Sequence, residues 1–212
     1  MTGPVVPFGK PRAERADAVR NRELLLCAAR AMVAEEGVER VTMDGLAERA
    51  GLGKGTVFRR FGTRAGIFRA LLDADEACFQ RQVMQGPPPL GPGADPVTRM
   101  IAYGRARIAF LRDHHAIVRA AIDRNEPTPA GEFTITRVHL RMLLSRTGLA
   151  LHDLDSLAVQ LTGALEGPTL LYLAQPEPAA PPSPEVTEAL ADSWQLLVER
   201  LTRPEDGPEH TG

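Results

Sequence analysis

The sequence predicts an all-α protein: an N-terminal three-helix head built as a helix-turn-helix, then a larger helical body, about nine helices in all. Three observations carry this. Apolar residues recur at three- and four-residue spacing in one segment after another. No run alternates apolar and polar residues long enough to make a sheet strand. Glycine- and proline-rich stretches separate the periodic segments.

Composition narrows the class. The chain has 212 residues, 43% hydrophobic and 25% charged, which suits a globular protein of one large or two modest domains. It has no apolar run long enough for a membrane span and no signal-peptide pattern, so a cytoplasmic location is expected. Residues 1–70 carry 13 Lys/Arg and 8 Asp/Glu, a balance of +5; residues 71–212 carry 12 and 19, a balance of −7. A basic first third beside an acidic remainder fits a head that meets phosphate and a body that does not. Cys27 and Cys78 sit in periodic segments and read as buried free thiols; with no histidine cluster nearby they make no zinc site. No nucleophile elbow, phosphate-binding glycine loop, metal-ligand spacing or acid/base pair stands out, so neither an enzyme nor a cofactor is expected.

Residues 1–18 read as a disordered basic arm that includes Arg12 and Arg15. A helix follows from about Val19 to Glu36, with Leu24, Leu25, Ala28, Ala29, Met32 and Val33 on its inner face and Gly37 stopping it. Thr42 caps a short helix that keeps Leu46, Ala47 and Ala50 inward and ends at Gly51. Gly53 precedes a second short helix, Lys54 to Phe61, with Val57 and Phe61 inward. Gly62 breaks it, and Thr63 caps a longer helix reaching about Val83. The proline-rich stretch 85–95 is a loop. Further helices are expected over Pro96–Arg112, His115 to about Arg124, Glu132–Arg146, Asp153–Leu173 with a bend at Gly167-Pro168, and Pro184–Leu201. The last carries Val186, Leu190, Trp194, Leu197 and Leu201 as its stripe. Loops fill 126–131 and 175–184. The divisions are therefore 1–18 arm, 19–62 DNA-binding head, 63–202 effector-binding and dimerisation body, and 203–212 flexible tail.

The stretch from Val41 to Gly62 carries the function. Two short helices meet at a glycine turn, and burying Val57 and Phe61 leaves Lys54, Gly55, Thr56, Phe58, Arg59 and Arg60 outside. That outer face suits a helix entering a major groove with flanks on phosphates. Over about Leu24 to Leu72 the chain resembles the TetR family of bacterial repressors: Thr42, Leu46-Ala47, Ala50-Gly51, Gly55-Thr56, Phe58 and Phe61 stand in the family's pattern. Outside that segment the general layout is similar, with two long final helices. The family commonly has Ser at Gly53, Tyr at Phe58, His at Arg60 and Lys at Arg64. The resemblance implies that Thr42, Phe58, Arg60 and Arg64 hold phosphates or sugars, and that Lys54, Thr56 and Arg59 reach base edges. It implies a homodimer through the last two helices on a palindromic double-stranded operator, released by a small-molecule effector. Control by a protein partner, absence of an effector, or activation instead of repression are the alternatives at this point.

The middle helices should enclose the effector. Candidate lining residues are Tyr103, Arg107, Phe110, Met142, Thr162 and Glu166. Tyr103 and Phe110 also suit a core, and Arg107 and Glu166 also suit each other. His114 and His115 suit a turn. A single mid-helix histidine, His139, is no metal-ligand set.

Overall fold

The computed structural model describes residues 12–122, 132–149, 153–173 and 182–203, with side chains from residue 17 and, after the gap that follows 122, from residue 135. The expectations for the arm before Arg12, the loops at 126–131 and 175–181, the sixth helix beyond Ile122 and the tail from 204 lie outside those residues. The described residues are all-helical: α1 (Arg12–Glu36), a 3-10 turn (Val38–Arg40), α2 (Met43–Ala50), α3 (Lys54–Phe61), α4 (Arg64–Gln85), α5 (Pro96–Asp113), α6 (His115–Ala121), α7 (Glu132–Leu144), α8 (Leu154–Leu173) and α9 (Pro184–Leu201). No helix among them is long and apolar enough to cross a membrane.

The chain divides into two compact units, Met1–Asp73 and Ala74–Gly212. The division falls inside α4, past the expected head boundary at residue 62, because Ile67, Phe68 and Leu71 of its first turns are buried. In the first unit α1 supplies Leu25, Leu26, Ala29 and Met32 to the core, α2 supplies Leu46 and Ala47, and α3 supplies Val57 and Phe61. Thr42 caps α2 by accepting the Gly45 N–H at 3.0 Å. Gly51 ends α2 at φ 63°, ψ 30°, a left-handed conformation that favours glycine, and there the chain turns into α3.

Several expectations are corrected here. Helix α1 begins at Arg12, so residues 12–18 belong to a helix and not to a disordered arm. Leu24 is 47% exposed, because Leu25, Leu26, Ala29 and Met32 form the inner face and Leu24 lies outside it. Cys27 and Cys78 are both exposed: each lies beside a buried stripe, not in it. Helix α7 stops at Leu144 and the chain turns over the next four residues.

The second unit has one core, with Phe79 and Val83 from α4, Met100 and Tyr103 from α5, Leu140 and Leu143 from α7, Leu161 and Leu165 from α8, and Trp194 and Val198 from α9. Asp95 caps α5 through the N–H groups of Val97 and Thr98, with Pro96 at the first turn. Helix α5 lies along α9, and α7 along α8. A Cβ on Gly104 would sit 1.9 Å from Trp194 Nε1, so glycine is what allows α9 to approach α5 there. Trp194 Nε1 donates to the Met100 carbonyl at 3.0 Å. The α9 residues buried are Thr187, Ala191, Trp194 and Val198, whereas Val186 and Leu197 of the expected stripe are exposed. Two apolar stripes run side by side on this helix, and only one faces the core.

Candidate nucleic-acid interface and effector cavity

The geometry of α3 follows from two buried residues. Val57 is fully buried and Phe61 nearly so, which turns the remaining face outward. Lys54, Gly55, Phe58, Arg59 and Arg60 are exposed and Thr56 is half-buried. Phe58 is 53% exposed and so is not a core residue. A Cβ on Gly55 would meet nothing within 4 Å, so no packing inside the protein requires glycine there. Glycine in an exposed helix costs about 1 kcal/mol relative to alanine. Gly55 is therefore explained by a surface that approaches from outside. Lys54 Nζ lies 2.8 Å from Asp44 Oδ2, an exposed pair that solvent screens. Arg59 Nη2 reaches the Thr56 hydroxyl at 3.4 Å.

Two of the expected contact residues have structural work of their own. Thr42 caps α2. Arg64 donates from Nε to the Val41 carbonyl at 2.8 Å and from Nη2 to the Val38 carbonyl, and it lies over the Phe68 ring at 5.0 Å. Its guanidinium ties the connector before α2 to the start of α4. This leaves Arg59 and Arg60 as the more outward arginines.

In the second unit the six candidate lining residues fall into two groups. Arg107 is buried and bridges α4 to α8: Nε donates to Glu166 Oε1 at 2.8 Å and Nη1 to Glu76 Oε2. Burial opposes its charge, but the carboxylates of Glu166 and Glu76 outweigh burial and hold the guanidinium above its ordinary value. Phe110 and Phe79 pack beside this guanidinium, at 5.2 and 5.9 Å from ring centroid to Cζ. Thr162 donates to the Ala158 carbonyl at 2.7 Å within α8. These residues satisfy one another. Arg107, Phe110, Thr162 and Glu166 line neither of the two cavities described next, which corrects their expected role.

Tyr103 and Met142 do line a cavity, a groove of about 310 Å³ between α4, α5 and α7. Phe79, Val83, Ile135 and Val138 make most of its remaining wall. At its side stands His139, 6% exposed, its ring centroid 4.7 Å from that of Tyr103. His139 Nε2 is buried without a hydrogen-bond partner. Burial, helped by the charge of Arg99, lowers its pKa to about 4, so the imidazole is neutral at physiological pH. The Tyr103 hydroxyl donates to Thr136 Oγ1 at 2.9 Å, and burial pushes its phenol up to about 12. A second apolar cavity of about 400 Å³ opens between α8 and α9 and is lined by Ala164, Pro168, Tyr172, Val186, Leu190 and Leu197. His114 does take a turn role, with Nδ1 2.8 Å from the Phe110 carbonyl. No group of three or more potential metal ligands occurs among the described residues.

Sequence reasoning set His139 aside because one histidine cannot hold a metal. What could have marked it is its spacing: Thr136 and His139 are polar residues on the same face as Leu140 and Leu143.

Comparisons with known proteins agree with this geometry. Residues 25–71 match the model of the tetR family of bacterial regulatory proteins. An HTH-type transcriptional regulator of Staphylococcus aureus (strain bovine RF122 / ET3-1) is 32% identical over 71 residues, 34% of this chain and 38% of that protein. A solved TetR-family transcriptional regulator from Pectobacterium atrosepticum shares the fold at a TM-score of 0.61, with 20% identity over 91% of this chain and 95% of that one. Another, from Pseudomonas syringae pv. tomato, matches at 0.55, with 18% identity over 84% and 95%. With its matched helix-turn-helix segment and a fold shared along most of its length, the chain belongs to the TetR family of bacterial regulatory proteins.

Proposed function

We propose that the chain is a one-component transcriptional repressor that binds a palindromic operator as a homodimer and leaves it when a small molecule occupies the body. The observation that carries this reading is the outward face of α3. Lys54, Phe58, Arg59 and Arg60 are exposed around a glycine that nothing inside the protein requires. Such a face reads base edges from its N-terminal turns and holds phosphates from its flanks.

Dimerisation rests on the outer faces of the last two helices. Val159, Gly163 and Leu170 are exposed along one side of α8, and Val186 and Leu197 along one side of α9. A Cβ on Gly163 or Gly167 would meet open space, so these positions admit a close-packed neighbour. The 400 Å³ cavity opens among these same residues, and a second copy seated there would cover it. A two-fold axis through this face would pair two recognition helices with two half-sites about 34–36 Å apart.

The test is to select bound duplexes from a random pool and measure affinity for the selected site and for unrelated DNA. Arg60→Ala should weaken both alike, because a phosphate contact carries no sequence information. Arg59→Ala should relax discrimination at one base pair by about 1–3 kcal/mol. Equal losses on both duplexes for both variants would remove Arg59 from the base edges, and an unenriched pool would overturn the regulator reading.

A further inference from the structure

We propose that the groove between α4, α5 and α7 binds an uncharged, mainly apolar molecule whose hydroxyl or carbonyl oxygen hydrogen-bonds to His139 Nε2. The effector role of that molecule rests on the regulator reading above. The site itself rests on the groove and on the unpaired nitrogen.

Three observations converge. The wall is almost wholly apolar, with Phe79, Val83, Ile135, Val138 and Met142 facing the space. Its volume, about 310 Å³, is at the small end of the range for small-molecule sites. The buried His139 Nε2 has no partner in a wall that is otherwise satisfied, since Tyr103 already donates to Thr136. A buried polar group left unpaired costs free energy, and a ligand oxygen placed against it recovers that cost on binding.

The charge of the ligand follows from the surroundings. Arg99 is buried and donates from Nη2 to the Val83 carbonyl in the last turn of α4, where the helix dipole favours a cation. Its positive charge disfavours a second cation beside His139. A carboxylate would have to leave water for an apolar wall whose one available hydrogen-bonding atom belongs to a neutral imidazole, and Arg99 is not part of that wall. A neutral oxygen meets neither penalty. A hydroxyl matches either tautomer of the ring, and a carbonyl matches the one protonated at Nε2.

The experiment uses the full chain and four probes of one shape: 1-naphthol, naphthalene, 1-naphthoate and 1-naphthylmethylammonium, titrated by calorimetry at pH 7.5. The expected order is naphthol first, naphthalene about tenfold weaker for want of one hydrogen bond, and both ions weaker still. His139→Phe should bind naphthol and naphthalene equally, and Met142→Trp should fill the groove and remove both. Equal binding of naphthol and naphthalene by the natural chain overturns the proposal, as does tighter binding of naphthoate. A naphthol preference that survives His139→Phe, or binding untouched by Met142→Trp, overturns it too. Should His139→Phe not fold, the ¹⁵N shift of His139 Nε2 in the natural chain decides: movement with naphthol supports the site and no movement refutes it. The same probes are then added to the complex with the selected duplex. Naphthol that binds as expected but leaves DNA affinity unchanged upholds the site and removes its effector role. Absence of DNA binding removes the regulator reading and leaves the site standing.

Discussion

His139 couples stability to pH. Its pKa falls from an ordinary 6.5 to about 4 on folding, because burial and Arg99 both disfavour the imidazolium. The unfolded chain takes up a proton as pH drops below 6.5 while the folded chain stays neutral. The stability this residue contributes is therefore present above pH 6.5 and lost as pH falls through about 4. In urea denaturation at pH 7.5 and 4.5, His139→Phe should lose less stability on acidification than the natural chain. It should be no less stable at pH 7.5, since the change removes an unpaired buried nitrogen. Equal acid losses in both proteins would assign the effect to other groups. At this scale the recognition helix was legible: two inward residues, Val57 and Phe61, dictate what remains outside. Tyr103 and Met142 were also legible as groove residues. His139 was not, because a missing partner is a property of the neighbours and leaves no mark in a linear pattern.

Between helices, the decisive contact is the one that binds three of them. Arg107 on α5 holds Glu76 on α4 and Glu166 on α8. Arg107→Met would leave two carboxylates facing each other with no counter-ion, one of them fully buried, and should cost about 3–5 kcal/mol in urea unfolding. Arg105, partly exposed beside Glu188 and Asp192 of α9, is the control: Arg105→Ala should cost at most about 1 kcal/mol. Similar losses for the two variants would show that the three-helix tie does not hold the body together. The outer face of α8 gives a different expectation. Gly163→Leu places a large side chain in open space on the monomer, so helicity by circular dichroism should be kept while light scattering shows the dimer dissociating. A mass unchanged from that of the natural dimer would move the interface elsewhere. Helix order and most boundaries could be read from caps and breakers such as Thr42, Gly51 and Pro96. The stripe on α9 could not be assigned. Val186, Leu190 and Leu197 lie beside the Thr187, Ala191, Trp194 and Val198 stripe, and spacing alone does not say which one the chain itself covers.

Across the whole molecule, the basic first third and acidic remainder match a division of labour between DNA and effector. Helix α4 is continuous through the division between the two units at Asp73. If effector and operator are linked through it, each must weaken the other's binding by the same factor. Replacing Asp73 and Ala74 together by glycine softens the helix at that point at a cost of about 1 kcal/mol per residue. Each partner should then still bind alone, while the coupling factor measured by calorimetry with and without operator falls toward one. Coupling that survives undiminished would place the link outside α4. The boundary of the head was misjudged by sequence because Thr63 begins a helix convincingly, and nothing local reveals that the first turns of that helix bury Ile67 and Phe68 in the head's own core.

The two thiols have a use that depends on where they lie. Cys27 is exposed in the first unit and Cys78 in the second, and both are free. The natural chain therefore carries one attachment point for a spin label or dye in each unit, with no engineered cysteine required. Electron–electron distance spectroscopy on the doubly labelled protein can follow the separation of the two units as probe or duplex is added, turning the linkage into a measured length.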